Sequence, residues 1–277
     1  MKICYCIIAH KFTPVLAYLV DFITESGDIA LLHVDQKSDI SKFEPIFDKV
    51  IMCPKRISTE WGGISLTSTY LELLKASRTL SVDYLVFVSG DTMPIQTTSY
   101  IREYFALHKS RSLIPVRPLS SRQNLRVKYL YSFTGRLNMI GKLIHRVRLI
   151  LGLYPKNRNY GSLPPLYGGS AWFGLPVQFR DYILEYVDDG RYIDAFKHSL
   201  CSDEIFFHTI LANSEYSVLN DNYSIFYIDW SEGKESPKTL VNDDIEVITK
   251  EKTLNQLFAR KIDDNIDLDL WHKTFNV

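Results

Sequence analysis

Across residues 1–100, short apolar runs alternate with stretches of helical periodicity, and that alternation leaves few folds open. Ile3–Ile8 is an unbroken apolar run, Ala30–Val34 and Val50–Cys53 are two more, and Tyr84–Ser89 is a fourth. Between them, Pro14–Thr24 places Leu16, Leu19, Val20 and Ile23 at helical spacing, and Ser65–Leu80 reads as a second helix. Strands separated by helices pair in parallel through right-handed crossovers. The expected fold is therefore α/β, a doubly wound, mostly parallel central sheet with helices on both faces. Ligands of such sheets bind beyond the carboxyl ends of the strands. His10, Asp35 and Asp91 each follow a predicted strand and should converge on that edge, as ligand contacts or as turn-capping groups.

The second half of the chain carries two shorter signals. Gly168-Gly169-Ser170-Ala171-Trp172-Phe173 is a small-residue bend running into an aromatic strand, a backbone that lets a ligand come close. Ser202-Asp203-Glu204 follows, with Ile205, Phe206 and Ile210 behind it at helical spacing. With Ser202 as N-cap, Glu204 would sit in a first helical turn whose dipole favours its ionised form, as a general base requires. Acidic decoration of a helix start is the plainer alternative.

Composition sets the remaining bounds. The 277 residues balance 32 Lys and Arg against 32 Asp and Glu, so no overall basic field points to nucleic acid. Yet no Asp or Glu falls between Tyr104 and Arg180, while thirteen Lys and Arg do. Within that span Leu137–Leu153 has the pattern of a basic amphipathic helix, either interfacial at a membrane or docked on the body. The span as a whole is a solvated face, an acceptor surface or a membrane contact. No run is long enough to cross a bilayer. Cys4, Cys6, Cys53 and Cys201 have neither scaffold nor zinc spacing, which suits reduced thiols in a cytoplasmic protein.

Read in order, eight blocks resemble one family: Ile7-Ile8-Ala9-His10, His33-Val34-Asp35-Gln36-Lys37-Ser38, Trp61-Gly62-Gly63, Ser89-Gly90-Asp91-Thr92-Met93-Pro94-Ile95, Gly169–Phe173, Ser202-Asp203-Glu204, Ile228-Asp229-Trp230 and Phe258-Ala259-Arg260-Lys261. The resemblance is to the core-2/I-branching β-1,6-N-acetylglucosaminyltransferases, glycosyltransferase family fourteen, which also includes peptide O-xylosyltransferases. It implies a GT-A-like single catalytic domain over 1–277. Residues 1–100 would form a Rossmann-like nucleotide-sugar half, 101–263 the acceptor and catalytic half, and 264–277 an acidic tail anchored by Trp271. Animal members are Golgi-anchored and disulfide-bonded, so this chain looks like a bacterial catalytic domain, cytoplasmic and peripheral to the inner face of the membrane.

The resemblance also implies roles. Glu204 matches the catalytic base of an inverting displacement, and Lys261 with Lys238 would neutralise the departing diphosphate of a metal-independent reaction. At Lys238 the family often has Arg, and lysine lacks its bidentate fork. His10, Asp35, Trp61 and Asp91 would bind the donor, and Trp230 would stack on the acceptor sugar, with Ser170 and Trp172 as further acceptor-side candidates. Asp91 stands without the second acid of an Asp-x-Asp metal motif, and Asp267-Leu268-Asp269 lies in the tail. No metal and no cofactor are therefore expected. Where the family has acceptor-side basic residues, counting places Ser121 and Asn124. The expected partners are a UDP-sugar, with UDP-N-acetylglucosamine first and UDP-xylose as rival, and an oligosaccharide or lipid-linked glycan. A non-catalytic nucleotide-sugar or glycan-binding module is the alternative of a different class.

Overall fold

The computed structural model describes residues 1–132 and 138–277. Its first half contains strands β1 (Ile3–Ala9), β2 (Ile29–Val34), β3 (Ile51–Met52) and β4 (Tyr84–Ser89), with helices α1 (Pro14–Glu25) and α2 (Ile64–Ser77) between them. Each lies within about three residues of its sequence-based bounds. Helix α1 starts where its chemistry requires: Thr13 caps it by accepting the Leu16 amide at 3.1 Å, and Pro14 occupies the first turn, where a missing N–H costs nothing.

Next come β5 (Thr92–Pro94), α3 (Thr98–Leu107), β6 (Arg117–Pro118), α4 (Ser121–Lys128), α5 (Met139–Ile150), β7 (Tyr167–Gly168) and β8 (Gly174–Pro176). The chain closes with α6 (Val177–Tyr186), α7 (Arg191–Phe196), α8 (Phe206–Ala212), β9 (Phe226–Ile228), α9 (Asp244–Glu251), β10 (Phe258–Arg260) and α10 (Leu268–Phe275).

The main sheet runs β3-β2-β1-β4-β8, parallel except for β8, which is antiparallel to β4. Alternation along β1 serves two cores. Cys4 and Cys6 face a cluster that includes Tyr70 and Leu74 of α2 and Phe206 and Phe207 of α8. Ile3, Tyr5 and Ile7 face the other side, with Leu16, Leu19 and Val20 of α1 and Phe105 of α3. Helices thus cover both faces, as the buried central strands demand. Strand order reverses between β1 and β4, so the chain leaves the sheet in opposite directions there and opens a crevice.

A smaller sheet, β5-β10-β9, carries a third cluster with Val15 of α1 and the last two helices. Trp271 is the expected anchor of the acidic tail. It is fully buried, and its indole N–H donates to the Pro94 carbonyl at 2.8 Å. Asp267 caps α10 by accepting the Leu270 amide.

Three sequence-based boundaries need correction. Ser202 is not a helix N-cap. Its hydroxyl is buried against that of Thr67 at 2.7 Å, Cys201 before it is left-handed, and Ser202–Glu204 forms a 3-10 turn ahead of α8. Ala171–Phe173 precedes the strand, which begins at Gly174, because the Gly168–Ser170 bend is spent on other partners described below. The helix expected over 137–153 spans Met139–Ile150; Leu137 lies outside the described residues.

Removing the tail anchor should open a cavity in the third cluster. Trp271→Ala is expected to cost about 3–5 kcal/mol in urea-denaturation stability. A loss below about 1 kcal/mol would mean that the tail is not part of the core.

Candidate active site

At the switch point, a small cleft between the ends of β1 and β4 is lined by Ile8, Ala9, His10, Lys11, Thr13, Ser89, Gly90 and Asp91. His10 and Asp91 therefore line one cleft, as their strand-end positions suggest. Asp35 lies on the same edge, its amide donating to the Ala9 carbonyl at 2.9 Å. Its carboxylate faces inward: one oxygen accepts the Lys37 amide at 2.8 Å, the other the Thr59 amide and hydroxyl. Burial pulls its pKa up, but these hydrogen bonds outweigh burial and hold it below the usual carboxylate range. Arg56, which the sequence reading passed over, gathers the carbonyls of Val34, Asp35, Gln36 and Ser38 and fixes the loop after β2.

The two blocks of the second half are welded together. The Gly169 amide donates to the Glu204 carbonyl at 2.9 Å. A Cβ on Gly168 would stand 2.8 Å from that same oxygen, and one on Gly169 only 1.7 Å from the Pro115 carbonyl oxygen. Only glycine fits at either position. Next to them, His208, kept neutral because burial lowers its pKa to about 4, donates Nε2–H to the Ser170 carbonyl at 2.9 Å. The Ser170 hydroxyl accepts the Trp172 amide. On the far side of the turn, the Cys201 amide donates to the Gly62 carbonyl at 2.8 Å, which brings the Trp61-Gly62-Gly63 turn, with Trp61 half exposed, up to the Glu204 turn.

The Glu204 carboxylate is half exposed and accepts from Arg126 Nη1 at 2.8 Å. Arg126 is the candidate site residue that sequence counting missed. It lies in the last turn of α4, beyond Ser121 and Asn124 on the same helix, and Asn124 is occupied with the Leu119 and Ser120 carbonyls. The signal was present as a cluster of basic residues in an acid-free span, without a way to choose among them. Adjacent Asp203 is buried.

The diphosphate candidates gather at the ends of the small sheet. Lys261 Nζ lies 4.0 Å from Asp91, which also accepts from the Ser89 hydroxyl and has Arg260 3.6 Å away. Arg260 was unassigned in the sequence. Its guanidinium stacks 4.3 Å above the Trp172 ring, and its Nε donates to the Ser89 hydroxyl at 3.1 Å. Trp172 is thereby tied to the Asp91 end of the cleft. The backbone joins Lys238 to this group, since the Leu240 amide donates to the Lys261 carbonyl at 2.7 Å. The Lys238 ammonium is held by Asp244 and lies 3.9 Å from Asp229. Its pKa is raised, first by the hydrogen bond to Asp244. Trp230 follows Asp229 on the same loop and is 54% exposed, so it is not a core residue. Among the described residues, no three His, Cys, Asp or Glu side chains converge as metal ligands.

Burial, with the Glu204 charge adding to it, pushes the Asp203 pKa up to about 7. In the unfolded chain it would titrate near 3.9. The native state therefore keeps its proton over the intervening range. The stability that the neutral acid confers is complete below about pH 4 and is lost as pH rises through 7. Asp203→Asn removes this dependence: relative to the parent it should gain about 2 kcal/mol between pH 5 and pH 8 in urea titrations. An unchanged difference between the two proteins across that range would refute a neutral Asp203.

Comparison with known proteins bears on the family of the chain. The model of the family described as Core-2/I-Branching enzyme matches residues 3–257. Xylosyltransferase 1 of Rattus norvegicus is 23% identical over 225 residues, covering 77% of this chain and 26% of that protein. Xylosyltransferase oxt of Drosophila melanogaster is 21% identical over 210 residues, covering 72% of this chain and 23% of that one. The chain thus spans about a quarter of the length of the curated relatives it matches. A putative glucose-1-phosphate thymidylyltransferase from Bacillus anthracis overlays 68% of this chain and 77% of its own at 12% identity, with a TM-score of 0.35, too loosely to bear on the fold. The family match extends from β1 to the residue before β10 and takes in both the switch-point cleft and the Glu204 turn. The chain belongs to the Core-2/I-Branching enzyme family.

Proposed function

We propose that the chain is an inverting, metal-independent glycosyltransferase that moves a sugar from a UDP donor to a hydroxyl of a glycan acceptor in surface polysaccharide or glycolipid synthesis, at the cytoplasmic face of a membrane. The observation that carries this reading is the Glu204 carboxylate, half exposed beside the Gly168–Gly169 bend and paired with Arg126 at 2.8 Å. An acceptor hydroxyl entering there would lose its proton to Glu204 as it attacks the sugar carbon. The UDP would leave from the opposite face. Lys261 and Lys238 would meet the charge growing on its diphosphate, Lys238 exchanging Asp244 for phosphate oxygens. His10, Asp35, Trp61 and Asp91 would hold the nucleotide sugar, with Trp230, Trp172 and Ser170 on the acceptor side.

Asp91 supports the metal-free part of this reading. It is a single carboxylate that accepts from the Ser89 hydroxyl and has the cations of Arg260 and Lys261 within 4.0 Å, an unfavourable place for a divalent ion. N-acetylglucosamine in β-1,6 linkage is the preferred transfer, from the resemblance carried by the sequence blocks. Xylose from UDP-xylose is the second reading, favoured because the relatives matched are xylosyltransferases. A UDP-sugar screen for hydrolysis and transfer separates the two, and an absence of turnover with every donor would leave only a binding module.

Two outcomes are expected. Activity should survive EDTA; activity that vanishes in EDTA and returns with Mn²⁺ would replace the lysine pair with a metal. Glu204→Gln should lower turnover by about a hundredfold to ten-thousandfold while UDP-sugar affinity stays near that of the parent. Near-normal turnover in this variant would move the base elsewhere, with Asp91 next to test.

A further inference from the structure

We infer that α5 is a docking helix that seats one face of this protein on an anionic lipid bilayer, an interaction that does not depend on which sugar is moved. None of its residues is buried. Ile140, Leu143, Ile144, Val147, Ile150 and the following Leu151 are between 44% and 75% exposed. At 3.6 residues per turn these six fall on one strip of the helix. Arg146 and Arg148 lie about 100° to either side of that strip, by the same geometry.

The opposite side holds the helix to the protein. His145 hydrogen-bonds the Tyr154 hydroxyl at 2.9 Å and packs against the Tyr131 ring. At one edge, Lys142 pairs with Glu235 at 2.8 Å, on the loop that carries Trp230 and Lys238. The apolar strip therefore points away from the body, beside the acceptor end of the candidate site.

An apolar strip flanked by arginines is the pattern of a helix lying in the plane of a membrane, its apolar side about 5–10 Å into the headgroup boundary. The charge around it selects the lipid. Tyr104–Arg180 contains no Asp or Glu, so no carboxylate of that span opposes anionic headgroups. A second copy of the chain is the less suitable occupant, since pairing strip to strip would bring the flanking arginines of both copies together.

The test is flotation of the full chain with phosphatidylcholine vesicles, with and without phosphatidylglycerol. The parent protein should float with the phosphatidylglycerol vesicles at low salt and release as salt rises. Ile144→Glu with Val147→Glu should abolish flotation. Arg146→Gln with Arg148→Gln should weaken it by roughly fivefold for each arginine removed. Circular dichroism would verify the fold, and hydrolysis of UDP-sugar in solution should match the parent in both variants. A parent that fails to float with phosphatidylglycerol at low salt would overturn the inference, as would a glutamate variant that floats normally. A dimer in light scattering that the glutamate variant dissolves, without vesicle binding, would assign the strip to a second copy. Loss of flotation with turnover intact counts against membrane docking alone, and absent turnover with flotation intact counts against the proposed reaction alone.

Discussion

Everything around the candidate site depends on how closely two pieces of backbone approach each other. The Gly169 amide meets the Glu204 carbonyl at 2.9 Å, and neither Gly168 nor Gly169 has room for a β-carbon. That contact turns a loop and a 3-10 turn, over thirty residues apart in sequence, into one rigid corner. On its outer side the Glu204 carboxylate meets Arg126; on its inner side Asp203 and Ser202 are buried. The same corner receives the Trp61 turn through Cys201 and the Trp172 strand end through Ser170. A side chain at either glycine would push on backbone, which cannot swing aside as a side chain can.

The sheet was largely legible because its strands are buried on both faces, and burial writes itself as continuous apolar runs. Tyr84–Ser89 was read to the residue, and the alternation of Cys4 and Cys6 against Ile3, Tyr5 and Ile7 matches the two cores. His10, Asp35 and Asp91 were placed on one edge for the same reason. The Ser202 turn was misread because serine before an apolar helical pattern is a local signal, whereas its hydroxyl is claimed by Thr67, 135 residues away. Tertiary bonds of that kind leave no local mark.

Arg126 and Arg260 illustrate a second limit. Both are ordinary basic residues in the sequence, and their meaning comes from partners distant along the chain: Glu204 for one, Trp172 and Asp91 for the other. Family resemblance supplied Lys238 and Lys261, but only the fold reveals Asp244 and Asp229 around the first and Asp91 near the second. The amphipathic pattern of Leu137–Leu153 likewise left its exposed face undecided, because periodicity defines an apolar side without saying what lies against it.

The third hydrophobic cluster has one more consequence. Glu204 belongs to the large sheet and its helices, whereas Lys238 and Lys261 are carried by segments packed around Leu240, Ile262 and Trp271. Arg260, lodged between Trp172 and Asp91, is a side chain that clasps one side to the other. Local opening needs far less free energy than global unfolding. Fraying of the last forty residues would therefore part the lysines from the carboxylate while the main sheet remained folded. The machinery has a breaking point separate from that of the fold, and proteolysis or heating would find it first.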